Sequence, residues 1–81
     1  MTLLAVTVTG STTPEMVARY SLGNVPESTR TEKKVSPAWD IIVFEGDESA
    51  IRNQADRFSS GMIGARVLED EAALQEYLLE Q

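Results

Sequence analysis

The sequence predicts a small α+β domain, on three observations. Leu3–Thr9 and Trp39–Phe44 carry the apolar spacing of strands. Thr13-Pro14-Glu15 and Asp47-Glu48 carry the chemistry of helix starts. The chain has 81 residues, which is room for one domain, 1–81, and for a core of modest size.

The first element is "LLAVTVT", Leu3 to Thr9. Leu4, Val6 and Val8 alternate with Leu3, Ala5, Thr7 and Thr9, so one face is apolar and the other mixed. That pattern belongs to an interior strand. Gly10 ends it. Thr13 then caps a helix, Pro14 occupies the first helical position, and Glu15 lies at the positive end of the helix dipole. Met16, Val17 and Tyr20 form its apolar stripe, and Gly23-Asn24 is its stop.

A polar stretch follows, bounded by Pro26 and Pro37. Within it Thr31–Val35 reads as a short strand. Its Lys33 and Lys34 are typical of an exposed sheet edge, where charge discourages pairing with another chain. Ser36-Pro37-Ala38 makes the turn. "WDIIVF" is the strongest strand. Trp39, Ile41 and Val43 lie on one side, Ile42 and Phe44 on the other, so both faces require cover.

Asp47 caps the second helix, whose stripe is Ile51, Ala55 and Phe58. Glu48 and Arg52 stand four apart in the favourable order, and Gly61 suits the residue past the end. "MIGARVL" is a further strand, in which Gly64 marks a bulge or a close backbone approach. Asp70 caps a last helix with Ala73, Leu74, Tyr77 and Leu78 on its apolar face.

The order β-α-β-β-α-β-α matches, in its first six elements, the ferredoxin-like βαββαβ plait, with an additional C-terminal helix. That plait places its strands in the spatial order 4-1-3-2, so the first and third are interior. Those are the two most apolar strands here. Without the Thr31–Val35 strand, the alternative is a small βαβαβα layer with a parallel sheet. Two crossover helices cover only one face of a plait. The second face around Trp39–Phe44 then needs either the C-terminal helix or a second copy of the chain, because an open apolar patch of that kind is a liability.

Composition narrows the function. There is no cysteine and no histidine, which excludes disulfides, Cys/His zinc frameworks and a Ser-His triad. The net charge is −6. Residues 1–40 hold four acids and four bases, and residues 41–81 hold nine acids and three bases, so the second half accounts for all of it. An acidic half disfavours direct nucleic-acid binding. No apolar run approaches the roughly 18 residues of a membrane span, and the N-terminus lacks the pattern of a signal peptide. The expectation is a soluble, cytoplasmic protein without a membrane partner.

"TGSTTPE" invites comparison with an anion cradle. It has one glycine and no lysine, Pro14 removes an amide, and Glu15 sits where a phosphate would go. It reads as a strand stop followed by a cap. Arg30, Lys33 and Lys34 are a candidate anion contact, but no aromatics interleave them to stack bases. "GDES" and "EDE" lack the alternating spacing of a calcium loop. No catalytic residue, metal site or cofactor is expected, and the chain is read as not an enzyme.

The segment from Trp39 to Phe58 and on to "ARVLED" resembles the second half of ACT-type and NIL-type small regulatory domains. That resemblance implies a small-ligand-binding regulatory domain as one alternative. The residues themselves point first to a non-catalytic interaction or regulatory module. It self-associates or docks on a protein partner through its sheet face, with Trp39, Ile41, Val43 and Tyr77 as the candidate interface. A further alternative is an acidic mimic that binds a basic protein through residues 45–80.

Overall fold

A computed structural model describes residues 2–21, 28–58 and 64–81. The chain order is β1 (Thr2–Thr9), α1 (Pro14–Ser21), β2 (Arg30–Ser36), β3 (Trp39–Gly46), α2 (Glu48–Phe58), β4 (Ala65–Leu68) and α3 (Glu71–Leu79). The strands form one antiparallel sheet in the order β2-β3-β1-β4. The two most apolar strands are thus the interior ones, each paired on both sides, β1 with β4 over Leu3–Val6. The parallel-sheet alternative is overturned. β2 turns back through Pro37-Ala38 and pairs antiparallel with β3, Ser36 opposite Trp39.

β1 and β3 pair along their full length, from Thr2 opposite Gly46 to Thr9 opposite Trp39. Directly opposed residues share a face. Leu4, Val6 and Val8 therefore fall with Phe44 and Ile42 on one side of the sheet. Leu3 and Ala5 fall with Val43 and Ile41 on the other. Each set belongs to its own core. The first holds Leu4, Val6, Val8, Ile42 and Phe44 with Val17 and Ala18 of α1 and Ile51 and Phe58 of α2. The second holds Leu3, Ala5, Ile41, Val43 and Leu68 with Leu74 and Leu78 of α3, flanked by Val35, Ala73 and Tyr77. The sheet thus separates two cores with no residue in common. The question of what covers the second face is settled within the chain: α3 packs there.

The starts of α1 and α3 follow the expected chemistry. Thr13 Oγ1 accepts from the Met16 amide at 3.3 Å, and Asp70 Oδ1 accepts from the Ala73 amide at 2.9 Å. Glu48 Oε1 accepts from Arg52 Nε at 3.0 Å across one turn of α2. At the end of β1 the Gly10 amide donates to the carbonyl of Ala38 at 2.6 Å. A Cβ on Gly10 would lie 3.4 Å from the Pro37 carbonyl oxygen, so the hairpin turn packs directly on the chain where β1 stops.

Several details differ from the sequence reading. The stripe of α1 is rotated: Met16 is 56 % exposed, while Val17 and Ala18 are buried. The helix enters the first core through two adjacent residues, and Met16 falls beside that line. Gln54 is 1 % exposed and lies on the buried face of α2 between Ile51 and Phe58, with Ala55 only partly buried. β2 is longer than Thr31–Val35, and its register with β3 shifts between Thr31 and Lys33 and again between Lys34 and Ser36. Such irregularities twist and blunt an outer strand. The stops at Gly23-Asn24 and Gly61, the Tyr20 side chain, and Met62 and Ile63 of the last strand lie outside the described residues.

Candidate functional site: the α3 side of the sheet

The candidate interface residues separate by depth. Ile41 and Val43 are both 0 % exposed, sealed beneath α3 in the second core. Trp39 and Tyr77 are half-buried and present part of their surface to solvent. Alternation along β3 puts Trp39 on the same side as Ile41 and Val43. Among the described residues it belongs to neither core cluster. Tyr77 packs against the second core from α3, and the Arg66 guanidinium lies over its ring, 5.5 Å from the centroid. An interface formed by all four residues would need α3 to move, whereas Trp39 and Tyr77 are reachable with α3 in place.

The candidate anion contacts face groups of this chain. Arg30 is opposite Val43 and Lys33 is opposite Ile41, so register turns both toward α3. The Arg30 guanidinium pairs with the carboxylates of Glu32 and Glu71, the second from the first turn of α3. The hydrogen bond that Arg30 donates to Glu71, with the charges of Glu32, Glu71 and Glu45 adding to it, raises Arg30 above the ordinary arginine value against the opposing effect of burial. Lys33 Nζ donates to the Leu78 carbonyl at 2.7 Å, in the last turn of α3. The Lys34 side chain lies outside the described residues.

Together these contacts make a cationic frame. Arg30 and Lys33 stand along β2, and Arg66 stands on β4 opposite Ala5. Between them lie Leu3, Ala5, Ile41, Val43 and Leu68. Three of the chain's seven Lys and Arg residues border this one apolar strip. The segment that covers it, residues 69–81, carries Glu69, Asp70, Glu71, Glu76 and Glu80 and no base.

The "TGSTTPE" stretch closes on itself. Thr9 Oγ1 and Thr12 Oγ1 are 2.6 Å apart, and the Thr12 amide donates to the Thr9 carbonyl at 2.9 Å. The hydroxyls saturate one another at a strand end. Among the described residues no group of three or more Asp or Glu side chains is placed to hold a metal ion, and no helix is long and apolar enough to cross a membrane.

No family model matches this chain, and no curated protein or solved structure matches it. Function therefore rests on the geometry of the α3 side. The sequence singles out Trp39, Ile41, Val43 and Tyr77 as the candidate interface and Arg30, Lys33 and Lys34 as a candidate anion contact. It did not assign Arg66 to this surface. The signal was the period of two in "ARVL", which sets Arg66 and Leu68 on one face once β4 pairs with β1.

Proposed function

We propose that the chain is a non-catalytic interaction module that docks on a protein partner, a second copy included, with the α3 side of its sheet. The observation that carries this reading is the placement of Trp39 and Tyr77. Both are large amphipathic aromatics, left half-exposed on the side where Ile41 and Val43 are sealed. Such side chains supply most of the affinity at protein interfaces.

On the same reading the body is a ferredoxin-like βαββαβ plait to which α3 adds a cover for the second face. The strand order β2-β3-β1-β4 and the all-antiparallel pairing support it. The absence of cysteine supports a reducing compartment, the cytoplasm.

Sedimentation velocity at two well-separated concentrations, repeated on a Trp39→Ala/Tyr77→Ala double variant, tests the self-association form. The reading predicts concentration-dependent association that the double variant loses. A strict monomer at millimolar concentration, with the emission of Trp39 unchanged throughout, contradicts it.

A further inference from the structure

We infer that the α3 side of the sheet is an acceptor for an acidic amphipathic helix, that α3 is its resident occupant, and that a partner protein engages it by presenting a helix of the same kind. This goes beyond the docking function proposed above: Trp39 and Tyr77 are reachable with α3 in place, whereas here a partner's helix takes the place of α3, Tyr77 included.

The acceptor is built independently of its occupant. Leu3, Ala5, Ile41 and Val43 lie on the two interior strands, and the main chain of those strands is held by pairing to both neighbours. The opposite faces of the same strands are anchored by α1 and α2 in a separate core. Release of α3 removes Leu74 and Leu78 from the second core and takes nothing from the first. The two cores can therefore be lost one at a time, the condition for a sub-global opening. α3 has nine residues, too few to persist as a helix in water by itself. Its hold depends on the acceptor.

Charge selects the occupant. The strip is bordered by Arg30, Lys33 and Arg66, on a protein whose net charge is −6. Each meets a feature of α3: Arg30 the Glu71 carboxylate, Lys33 the Leu78 carbonyl at the negative end of the helix, and Arg66 the Tyr77 ring. A helix with an aromatic in its apolar stripe, a carboxylate in its first turn and no base in its last turn satisfies all three. A basic or neutral helix leaves Arg30 with only Glu32 among these partners. In the free chain α3 holds the site in cis, so an incoming helix must compete with an effective concentration in the millimolar range. The occupied site is thus closed by default and opens to a partner of higher affinity.

The test is complementation on the full chain. Leu74→Ala weakens the resident helix at its most buried residue. A synthetic peptide of residues 69–81 is then titrated into that variant, and the melting temperature and amide exchange of β1 and β3 are followed. The expected result is a saturable rise of roughly 5 °C or more, diminished at high salt, with no rise from the same peptide carrying Leu74→Ser and Leu78→Ser. A variant that stays folded by circular dichroism and whose melting temperature does not move at millimolar peptide overturns the inference. If Leu74→Ala does not fold, the titration is read on Leu78→Ala, which weakens the resident helix at the margin of the second core, with the same two outcomes. A chain that self-associates through Trp39 and Tyr77 but ignores the peptide loses this inference and keeps the docking function. A strict monomer that binds the peptide does the reverse for self-association.

Discussion

Lys33, on the outer strand β2, donates from Nζ to the main-chain carbonyl of Leu78 in the last turn of α3, at 2.7 Å. The bond joins residues far apart in sequence. It also brings a charged donor to a helix end that has no base in its last turn, at a carbonyl that accepts from the Gln81 amide as well, at 3.3 Å. The edge lysine that discourages strand addition thus also caps the helix that covers the sheet.

Lys33→Met keeps the aliphatic stem and removes the donor. It should lower stability by about 1.5–3 kcal/mol, the range of a hydrogen bond that involves a charged group. Urea unfolding monitored by circular dichroism measures the loss, and amide exchange should rise first in the last turn of α3. An unchanged midpoint would show that water replaces the bond at no cost.

Leu74 and Leu79 give opposite expectations on one helix. Leu74 is 0 % exposed and Leu79 is 83 % exposed. Leu74→Ala should cost about 2–5 kcal/mol through lost burial and a residual cavity, whereas Leu79→Ala should stay within about 0.5 kcal/mol. Paired denaturation curves decide it, and similar losses at both positions would place a different face of α3 against the sheet.

Ile41 and Ile42 are neighbours in β3, on opposite faces, and both are sealed. Each alanine variant should cost about 2–5 kcal/mol, against a total stability of roughly 4–12 kcal/mol for a chain of this size. In a sheet with one wet face, one variant of the pair would be close to neutral. That outcome, read from the two unfolding midpoints, would remove the second core.

Asp70 caps α3 through the Ala73 amide. Asp70→Ala should destabilise by about 1 kcal/mol, and Asp70→Asn, which keeps an acceptor oxygen, by much less. Equal losses in thermal melts of the two variants would mean that the charge rather than the acceptor matters.

Elements with a strong local pattern were legible in the sequence. β1 and β3 follow from period-two runs of apolar and β-branched residues, and the starts of α1 and α3 follow from Thr13 and Asp70. The strip beneath α3 was only half legible. The apolar face of α3 was readable from Ala73, Leu74, Tyr77 and Leu78, but nothing local says which surface a helix will choose, so a second copy remained an equal candidate. The register shifts in β2 depend on pairing with β3 and have no signature in "RTEKKVS". Gln54 was missed because a polar residue on a helix reads as solvent-facing until the packing of Ile51 and Phe58 is known. Arg30 and Lys33 stand in the sequence as candidate anion contacts because their partners, Glu71 and Leu78, come from the other end of the chain.

The central claim is that β3 lies between two separate cores, the second closed by α3. Methyl–methyl nuclear Overhauser contacts from Leu74 test it most directly. Contacts to Leu3, Ile41 or Val43, with none to Leu4, Val6 or Ile42, are the predicted result. Leu74 contacts to the Leu4–Val6–Ile42 side, or none to the sheet at all, would contradict it.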